Sequence, residues 1–510
     1  MSSSTIGILV TMIIYLGGML VIGFMLAKQN ETVSDFYLGG RKLGPFVTAM
    51  SAEASDMSSY LLMGLPGLAY LSGTADVGWT VIGLAAGTYL NWLLVAKPLR
   101  RYTEATGSIT IPDFFSDRYG DDSRILMLIA AIIIIVFFIP YTGSGFAACG
   151  KLFSSLFDAD YHVAMIISAI VIILYTTMGG FLAASTTDFV QSIVMTSALL
   201  IVLIFGVQTA GGIDAVIANA KSLPGYLSMT STYVADTHSS APYGLITIIS
   251  TLAWGLGYFG MPHILLRFMA IKDDAKLKIS RRVAIIWVTI SMAVAVFLGI
   301  VGLAMSANGS IETLHGSDTE TVLVKIASLL STHGILPAVL AGIILSGILA
   351  ATMSTSDSQL LAASSSVSQN IIYEFFNVQM SQKKLMNIAR LSLLGIAVVG
   401  IVIAWNPDSS VFQIVSFAWA GFGASFGPIV LLALFWRRSN KQGALAGLIV
   451  GGSMVFIWKY LVRPLGGAFD IYELLPAFLL AIAANVIVSL LTPAPDRRIT
   501  DVFDKVKAME

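Results

Sequence analysis

Charged residues are scarce in this chain: they make up 11% of its 510 residues, with 29 Lys and Arg against 29 Asp and Glu. A soluble domain carries roughly 25% charged residues. Hydrophobic residues make up 56% of the sequence, and its mean hydropathy is +0.84. This composition excludes an ordinary soluble protein and predicts a chain embedded in a lipid bilayer. The zero net charge favours no particular partner, and we expect no nucleic-acid partner.

Cysteine is almost absent as well. The single residue, Cys149, excludes a disulfide within the chain and a cysteine-based metal site. The five histidines lie far apart, so zinc-type spacing is also absent. The first apolar run, 6–27, lacks a preceding basic residue and a small-x-small cleavage pattern. It is too long for the core of a signal peptide, so we predict a retained membrane span.

Apolar runs of about 20 residues, the length that crosses a bilayer, recur along the whole chain. We predict thirteen spans, near 6–27, 44–72, 76–97, 125–150, 162–180, 187–208, 243–266, 283–306, 336–362, 389–405, 410–436, 442–462 and 472–493. The span at 336–362 has the weakest hydropathy signal because serines crowd its second half.

Lysine and arginine are distributed unevenly between alternate gaps. With the N-terminus outside, all but five of the 29 basic residues fall in cytoplasmic gaps, as the positive-inside rule requires. The five on the other side are Lys151, Lys221, Lys325, Lys459 and Arg463. We therefore predict a multi-pass protein of the cell membrane with its C-terminus in the cytoplasm.

The second to sixth and the seventh to eleventh predicted spans form two sets of five. An odd number per set forces the sets into opposite orientations, which is the layout of inverted-topology repeats in secondary transporters. The expected parts are an N-terminal helix with a loop, a first repeat, an outside loop with a short helix, a second repeat, and two C-terminal helices with a tail. They cover 1–43, 44–208, 209–242, 243–436 and 437–510.

The first span of each set is interrupted by residues that do not suit a membrane helix. Residues 51–58, Ser-Ala-Glu-Ala-Ser-Asp-Met-Ser, place two carboxylates at membrane depth. Residues 254–263, Trp-Gly-Leu-Gly-Tyr-Phe-Gly-Met-Pro-His, combine three glycines with a proline. Irregular or polar backbone at this depth is tolerated only where it lines an enclosed or watery cavity. A break in each half of the chain indicates the binding site of a transporter.

The first break is able to supply oxygen ligands to a sodium ion. Neutral carbonyl and hydroxyl oxygens satisfy a hard monovalent cation, and an unwound stretch exposes carbonyls that a helix would use. We expect the carbonyls of Ala54 and Met57 to take part. Ala351, Ser354 and Thr355 share one helix face because their spacing is i, i+3, i+4, and we expect them to complete the shell.

Structural alternatives remain for these polar residues. Serine and threonine in membrane helices also bond their own i−4 carbonyl or a neighbouring helix, although the unbroken polar run 354–358 favours a functional role. Asp56 either lies near the ion or caps the helix that restarts after the break, and the two roles are compatible. Asp188 follows Ser185-Thr186-Thr187 and is expected to cap the sixth span.

Aromatic residues along the second break favour a small, partly apolar substrate. Trp254, Tyr258 and Pro262 repeat at i, i+4, i+8 and are expected to lie one above another, and Tyr141 in the fourth span adds a further ring. Freed N–H groups at the starts of half-helices suit a carboxylate. An interfacial aromatic belt, the alternative, fits the ends of spans better than this stripe in mid-span.

Eight short motifs support a more specific assignment. They are Asp-Phe-Tyr-Leu-Gly-Gly-Arg (35–41), Leu-Gly-Pro-Phe-Val-Thr-Ala (43–49), Ala-Ser-Asp-Met-Ser (54–58), Leu-Met-Gly-Leu-Pro-Gly (62–67), Trp-Gly-Leu-Gly-Tyr-Phe-Gly (254–260), Pro-His-Ile (262–264), Met-Ser-Thr (353–355) and Ala-Trp-Ala-Gly-Phe-Gly-Ala (418–424). With these motifs the chain resembles the sodium/solute symporter family from about residue 34 to its last span.

The resemblance implies an all-α protein of thirteen transmembrane helices. Its fold would be the inverted repeat of the leucine-transporter type, with one extra N-terminal and two extra C-terminal helices. Sodium would be the coupling ion, bound by Ala54, Met57, Ala351, Ser354 and Thr355. Proline would be the substrate, held by Tyr141, Trp254, Tyr258 and Pro262. Asp56 and Ser58 would be essential beside the ion, Arg41 and Asp188 would be linked to ion coupling, and one chain would form a complete transporter.

Two departures from the family pattern concern the substrate. Ser59-Tyr60 replaces Gly-Trp, and Met261 replaces a glutamine. Tyr60 and Met261 are both expected near the pocket. Another small amino acid or solute therefore stays open as the substrate.

Two further departures concern charge. Glu53 stands in place of a glycine and Asp357 in place of a small neutral residue. With Asp56 and Asp188 they make four carboxylates inside predicted spans, and no basic residue is predicted at their depth. We therefore expect an additional coupling cation, either a proton or a second sodium. The alternative is that burial simply keeps Glu53 protonated.

Enzymes and channels are the remaining classes. Paired carboxylates occur in aspartyl proteases, but no flanking protease signature accompanies them here. Selectivity filters usually need oligomeric rings, whereas one chain is able to build this site. We expect a carrier without enzymatic activity.

Overall fold

Long apolar helices make up most of the molecule. The computed structural model describes residues 3–157, 159–407 and 410–509. Within them, ten helices are long and apolar enough to cross a membrane, and one further pair of helices passes the same test although it is bent by 46°. The prediction of an all-helical protein that crosses the membrane many times is confirmed.

We number the helices on which the description depends in chain order. They are α1 (Ser3–Ala27), α2 (Pro45–Ser59), α3 (Leu65–Ser72), α4 (Thr74–Leu90), α5 (Ile125–Phe157), α6 (Tyr161–Thr209), α7 (Leu245–Leu252), α8 (Pro262–Ala270), α9 (Leu277–Ala307), α10 (Ile335–Ser365), α11 (Gln382–Ile403), α12 (Val411–Phe435), α13 (Lys441–Ile457) and α14 (Leu474–Leu491). Short helices between them lie at Val33–Leu38, Ala96–Thr106, Ile111–Tyr119, Ile213–Ser222, Val322–Ser331 and Arg497–Lys507.

The outer surface of the helices is apolar, unlike that of a soluble protein. Ile14 of α1 and Leu391 of α11 are 69% and 66% exposed, whereas Asp188 and Ser354 are fully buried. Large apolar side chains on the outside need a lipid solvent, and polar ones within the bilayer need partners inside the protein. The helices therefore expose apolar outer faces and bury their polar groups between them.

Helix α6 contains two of the predicted spans without a loop between them. Its 49 residues are interrupted only at Gly180, whose φ of +61° and ψ of −159° are not helical. The carbonyl of Met178, beside this interruption, accepts a hydrogen bond from Asn30, just beyond the end of α1. The predicted gap at 181–186 is helical, and the hydroxyls of Thr186 and Thr187 bond carbonyls one turn back in the same helix.

Helix α10 lies at the centre of the bundle. It packs against α1, α2, α5, α6 and α11, and a π-helical segment, Ser366–Phe375, continues it. Its serine-rich half is buried among these neighbours. The serine-rich half of this span therefore contacts protein in place of lipid, and the helix as a whole is apolar enough to cross a membrane.

The connection at 209–242 differs from its prediction. It contains the expected short helix and also a two-stranded antiparallel hairpin, β1 (Ser231–Val234) with β2 (Ser239–Pro242), in which Ser231 lies opposite Pro242. The strands are only four residues long, Ser-Thr-Tyr-Val and Ser-Ser-Ala-Pro, and neither alternates apolar with polar positions. The hairpin was missed for that reason.

Candidate ion and substrate site

The first break lies at Ser58. This residue has φ +47° and ψ −168° inside an otherwise helical segment, and a π turn, Tyr60–Gly64, follows it. Such a conformation costs a non-glycine residue about 1–3 kcal/mol. The Ser58 hydroxyl accepts a hydrogen bond from the Tyr60 N–H at 3.2 Å. Ser58 and not Asp56 therefore bonds the restarting backbone, so the capping alternative for Asp56 is wrong.

Predicted ion ligands of the two repeats meet where α10 contacts α2, through Ser354 and Ala54. The hydroxyl of Ser354 lies 2.8 Å from the carbonyl oxygen of Ala54 and 3.2 Å from that of Ala351. The hydroxyl of Thr355 donates to the Ala351 carbonyl at 3.2 Å. Met57 follows one turn after Ala54, and its carbonyl accepts the Tyr60 N–H. We call Ala54, Met57, Ala351, Ser354 and Thr355 the oxygen cluster.

The oxygen cluster has the chemistry of a site for a monovalent cation. Its three carbonyls and two hydroxyls are neutral, and hard cations prefer such oxygen atoms. A carbonyl has two lone pairs and a hydroxyl proton rotates freely. The hydroxyls that now donate to carbonyls are thus able to turn their lone pairs towards an ion at the same place.

The second break is a 3₁₀ helix, Ala253–Gly260, between α7 and α8. Met261 follows it with an extended backbone, φ −75° and ψ +107°, and α8 restarts at Pro262. Both breaks that the sequence predicts are therefore present. Side chains in the second break point in other directions than in an α-helix, because a 3₁₀ helix has three residues per turn.

A cavity lies between the two breaks. Its lining residues are Asp56, Met57, Ser58, Tyr60, Leu84, Tyr141, Trp254, Val415 and Trp419. It adjoins the oxygen cluster through Met57, which belongs to both. The mixture of aromatic and aliphatic walls with a carboxyl group and a hydroxyl group suits a small molecule that is partly apolar and partly charged.

The predicted substrate residues divide into two groups. Tyr60, Tyr141 and Trp254 line this cavity, whereas Tyr258, Met261 and Pro262 do not. The predicted stripe at i, i+4, i+8 is wrong because it assumed α-helical winding. At three residues per turn, a step of four residues rotates a side chain about 120° away.

Tyr258 acts from behind the cavity wall. Its hydroxyl donates to the Asp56 carboxylate at 2.5 Å, and its carbonyl accepts from the Asn91 amide at 2.9 Å. Asp56 is thus held by a residue of the opposite break, and its other face remains part of the cavity lining.

Three cavity residues were missed by sequence reasoning: Leu84, Val415 and Trp419. The Trp419 indole N–H donates to the Trp254 carbonyl at 2.8 Å and so holds the second break in place. Trp419 stands inside the quoted motif at 418–424, which was a usable signal. Leu84 and Val415 are ordinary aliphatic residues of membrane spans, and the sequence gives no signal for their role.

A stack of rings separates the cavity from a wider pocket. Phe412 lies 6.0 Å from Tyr60 and 5.6 Å from Trp254, measured between ring centroids. It also lines the wider pocket, together with Gly64, Glu320, Ser410, Gln413 and others. Phe412 therefore links the rings that line the cavity to the wider pocket.

Asp188 does not cap a helix, because α6 runs past it on both sides. Its carboxylate accepts from Ser51 at 2.6 Å and from Arg267 at 3.0 Å, and Arg267 also donates to Ser358 at 2.5 Å. Arg267 and Asp188 are 1% and 0% exposed. The expectation of no basic residue at this depth is wrong. Arg267 had been assigned to a cytoplasmic gap, whereas the second break carries it into the core on α8.

Three other predicted residues lie outside the oxygen cluster. Asp357 is fully buried and accepts from the hydroxyls of Tyr175 at 2.7 Å and Ser358 at 2.9 Å. Glu53 accepts from Trp92 at 2.8 Å. Arg41 donates to the carbonyls of three residues of other segments, Thr103, Ser108 and Met269. It ties these segments together and does not contact the cluster.

The fold and the site together define a class: a helical membrane carrier with two interrupted helices around a cavity. The model of the sodium:solute symporter family matches residues 36–451. This chain belongs to the sodium:solute symporter family and is a membrane transporter.

Several characterised relatives are similar over nearly their whole length. The high-affinity proline transporter of Bacillus subtilis is 43% identical over 488 residues, covering 95% of this chain and 98% of that protein. The osmoregulated proline transporter of the same organism is 41% identical and covers 98% and 99%. The sodium/proline symporter of Escherichia coli is 40% identical and covers 98% and 96%.

Solved structures share the fold. A Na⁺-coupled sialic acid symporter in a substrate-bound, outward-open state matches with a TM-score of 0.79 at 19% identity, covering 96% of this chain and 99% of that one. A transporter of the nucleobase-cation-symport-1 family in a closed conformation matches with a TM-score of 0.50 at 15% identity, covering 92% and 98%.

Proposed function

We propose that this protein imports proline across the cell membrane together with sodium. The observation that carries the proposal is the contact between Ser354 and the Ala54 carbonyl at 2.8 Å, beside the cavity that Tyr141, Trp254 and Trp419 help to line. Relatives that cover the full length and are named as proline transporters support the same substrate.

Sodium is a transported ion in this proposal, and the oxygen cluster binds it. Ala54 and Met57 precede the first break, and Ala351, Ser354 and Thr355 stand on α10. An ion held between them joins α2 to α10. Asp56 and Ser58 lie next to the cluster and to the cavity, so a bound ion and a bound substrate share neighbours and stabilise each other.

Proline occupies the cavity between the breaks once its walls have moved apart, because the volume of about 20 Å³ in this structure holds little more than a water molecule. The rings of Tyr60, Tyr141, Trp254 and Trp419 pack against its pyrrolidine ring, while Asp56 and the hydroxyl of Ser58 supply polar contacts. Tyr258, Met261 and Pro262 shape the cavity from behind. Asp188, Asp357 and Arg41 stabilise the helices that move, and their effect on ion coupling is indirect.

The transport cycle is alternating access between two inverted repeats, 44–208 and 243–436, with 209–242 as the outside loop. The remaining segments, 1–43 and 437–510, add one helix before the repeats and two after them. We count thirteen spans in this arrangement. Ten are the long helices, one is the bent pair of α7 and α8, one is α2 together with α3, and one is a second crossing by the long helix α6. The 49 residues of α6 measure about 73 Å, more than twice the hydrocarbon thickness.

The basic residues support an N-terminus outside and a C-terminus in the cytoplasm. Ion binding on the outside favours the state that accepts substrate, because only a difference in affinity shifts a conformational equilibrium. One chain contains both breaks, so we propose a single chain as the functional unit.

Uptake of labelled proline by purified protein in lipid vesicles tests the proposal. An inward sodium gradient is expected to drive accumulation, and an equal potassium gradient is not. Preloaded proline should accelerate exchange, since a carrier shows counterflow and a channel does not. Accumulation that persists after the sodium gradient has been dissipated would disprove sodium coupling.

A second candidate is transport of another small amino acid or solute by the same mechanism. The observation that favours it is Tyr60 in the cavity wall, at a position that departs from the family pattern. Competition of labelled proline uptake by a panel of amino acids separates the two. A competitor effective at a lower concentration than unlabelled proline would displace proline as the substrate.

A further inference from the structure

Three basic residues at the inner end of α9 have no acidic partner. Lys278, Arg281 and Arg282 stand in the first two turns of the helix, which we place on the cytoplasmic side. The two acids of the same gap, Asp273 and Asp274, pair with other basic residues. Within the described residues, no carboxylate lies within 4 Å of the three basic groups. We call Lys278, Arg281 and Arg282 the basic cluster.

The basic cluster continues a face of α9 that points away from the protein. Ile279, Ile286 and Ile290 are 43%, 62% and 59% exposed. Lys278, Arg282 and Ile286 follow one another at intervals of four residues, so they share this face. Ile286 and Ile290 lie about 12 and 18 Å along the helix axis from Lys278. An exposed apolar face of this kind lies against acyl chains, so the cations at its end lie at the depth of the lipid headgroups.

A second helix adjoins this surface. The guanidinium carbon of Arg281 lies 5.7 Å from the centroid of the Tyr89 ring, which belongs to the inner end of α4 and is 42% exposed. Leu90 and Leu93, next to this ring in the chain, are each 40% exposed. Helices α4 and α9 pack against each other. Together they present a surface that is apolar along its length and basic at its inner end.

This combination fits an anionic phospholipid. Its phosphate accepts charge-assisted hydrogen bonds from arginine and lysine, and its acyl chains cover the isoleucines. A free phosphate ion would use only the basic end. A zwitterionic phospholipid carries its own ammonium group and would compensate the three cations less well. Basic residues at this end also set the orientation of a span, but that role needs charge alone and no ring beside it.

The basic cluster is connected to the first broken helix. Ser280 stands inside the cluster and is fully buried, and its hydroxyl donates to the carbonyl of Pro45 at 2.8 Å. Pro45 is the first residue of α2, which carries two members of the oxygen cluster. Helix α9 also packs against α2. A ligand that holds the first turns of α9 therefore also holds the start of α2.

We propose that the basic cluster and the adjoining faces of α9 and α4 bind one anionic phospholipid of the inner leaflet, and that this lipid raises the sodium affinity of the oxygen cluster. The lipid favours the arrangement in which α9 is fixed to α2 and Ser354 contacts Ala54, and a ligand shifts an equilibrium towards the state that it prefers. The effect on sodium rests on the proposed symport, whereas the binding of the lipid does not.

Binding is measured with fluorescent phosphatidylglycerol added to the purified full chain in a neutral detergent. We expect saturable binding of one molecule per chain. Phosphatidylcholine with the same acyl chains should compete about tenfold less effectively, because it lacks the net charge. Inorganic phosphate at the same concentration should not displace the lipid. Absence of saturable binding, or equal competition by phosphatidylcholine or by inorganic phosphate, would overturn the lipid site.

A pair of substitutions assigns the lipid to the basic cluster. Lys278→Gln combined with Arg282→Gln should weaken phosphatidylglycerol binding about thirtyfold, because each basic residue at an anionic surface contributes about a factor of five. Lys505→Gln combined with Lys507→Gln is the matched control. It removes two exposed cations of the same side from the C-terminal helix Arg497–Lys507 and should leave binding unchanged.

A second pair tests whether any inner cations serve equally well. Lys383 and Lys384 are exposed at the start of α11, which also faces lipid. Lys383→Gln combined with Lys384→Gln should not weaken binding. A loss in either control pair equal to that of the α9 pair would show that general surface charge holds the lipid, and it would overturn the site.

Uptake of labelled proline tests the connection to α2. Replacing part of the phosphatidylcholine of the vesicles by phosphatidylglycerol should lower the half-saturating sodium concentration about fivefold, the lower end of typical coupling between two sites. A negative membrane surface itself attracts cations, so Lys278→Gln with Arg282→Gln in the same vesicles is the reference and should lack the response. Ser280→Ala should keep lipid binding and lose the sodium response.

The outcomes separate this inference from the proposed function. An equal sodium response in the wild type and in the α9 pair would overturn the effect of the bound lipid on sodium. An undiminished response in Ser280→Ala would overturn its route through Pro45. Absence of sodium-driven uptake in every lipid mixture would contradict the symport itself, and the binding measurements would still decide whether the lipid site exists.

Discussion

The two broken helices interrupt the membrane in different ways. The first break depends on one residue, Ser58, in a strained conformation, with a π turn after it. The second is eight residues of 3₁₀ helix with three glycines. The first exposes backbone oxygens next to hydroxyls and carboxyls. The second exposes little polar backbone and serves as a closely packed wall.

The glycines of the second break explain this difference. A Cβ atom at Gly255 would meet Gly83 of α4, and one at Gly257 would meet the indole of Trp419. These glycines let the segment approach its neighbours and do not by themselves free backbone groups for a ligand. A break in a membrane helix is therefore either a source of ligands or a packing device, and the residues around it decide which.

The network that joins the two breaks predicts the largest effect. Arg267 follows the second break and pairs with Asp188 and Ser51, and Ser51 precedes the first break. Arg267→Met leaves a buried carboxylate without its cation, which costs about 3–5 kcal/mol. Thermal unfolding in detergent should show this loss. Arg267→Met combined with Asp188→Leu should recover part of it, and Arg437→Met, which removes an exposed pair with Asp504, should change little.

Close packing at the second break predicts the next effect. Gly257→Ala forces a methyl group against Trp419 and should cost about 1–3 kcal/mol, the usual range for overpacking. Gly395→Ala on α11 is the matched control, because no atom of the described residues lies within 4 Å of its Cβ position. Thermal unfolding of both variants is the measurement. Equal stability of the two variants would contradict the packing role.

The first break predicts a change in ion affinity. Ser354→Ala removes the hydroxyl that bridges α10 to Ala54 and should raise the half-saturating sodium concentration about tenfold, the equivalent of one hydrogen bond to a charged ligand. Ser366→Ala removes a hydroxyl that bonds the Ala362 carbonyl of its own helix and should not change it. Proline uptake measured at a series of sodium concentrations checks both variants. Equal half-saturating sodium concentrations in Ser354→Ala and Ser366→Ala would contradict sodium binding at the oxygen cluster.

The smallest predicted effect concerns the substrate. Trp419→Phe removes the N–H that donates to Trp254 and should raise the KM for proline about fivefold, the cost of one neutral hydrogen bond, without moving the sodium titration. Trp405→Phe changes a tryptophan that is 51% exposed and should leave both values as they are. A shift in sodium affinity equal to the shift in KM would show that the two breaks do not have separate roles.

The sequence predicted the long helices from their composition, and it predicted the two breaks from residues that do not suit a membrane helix. The apolar runs located the long helices, and the carboxylates at 53 and 56 and the glycines at 255, 257 and 260 located both breaks, because such residues are unfavourable in a lipid-facing helix. The oxygen cluster was accessible too, since Ala351, Ser354 and Thr355 share a face under ordinary α-helical spacing.

The errors at the second break have one common origin. Helical periodicity was carried through segments that are not α-helical. It placed Tyr258 and Pro262 in the cavity lining, although a 3₁₀ turn directs them elsewhere. It also ended the seventh span before Arg267, although the break moves α8 inward. The type of a break depends on which neighbours pack against it, as Trp419 does against Gly257, and one sequence without contacts does not contain that information.

The central claim is that the two breaks hold sodium and proline side by side, through Met57 and Asp56. The most direct test is the binding of each ligand to purified protein at a series of concentrations of the other. We predict that saturating sodium raises the affinity for proline and that saturating proline raises the affinity for sodium by the same factor, as thermodynamic linkage demands. Affinities for proline and sodium that do not depend on each other would contradict the account.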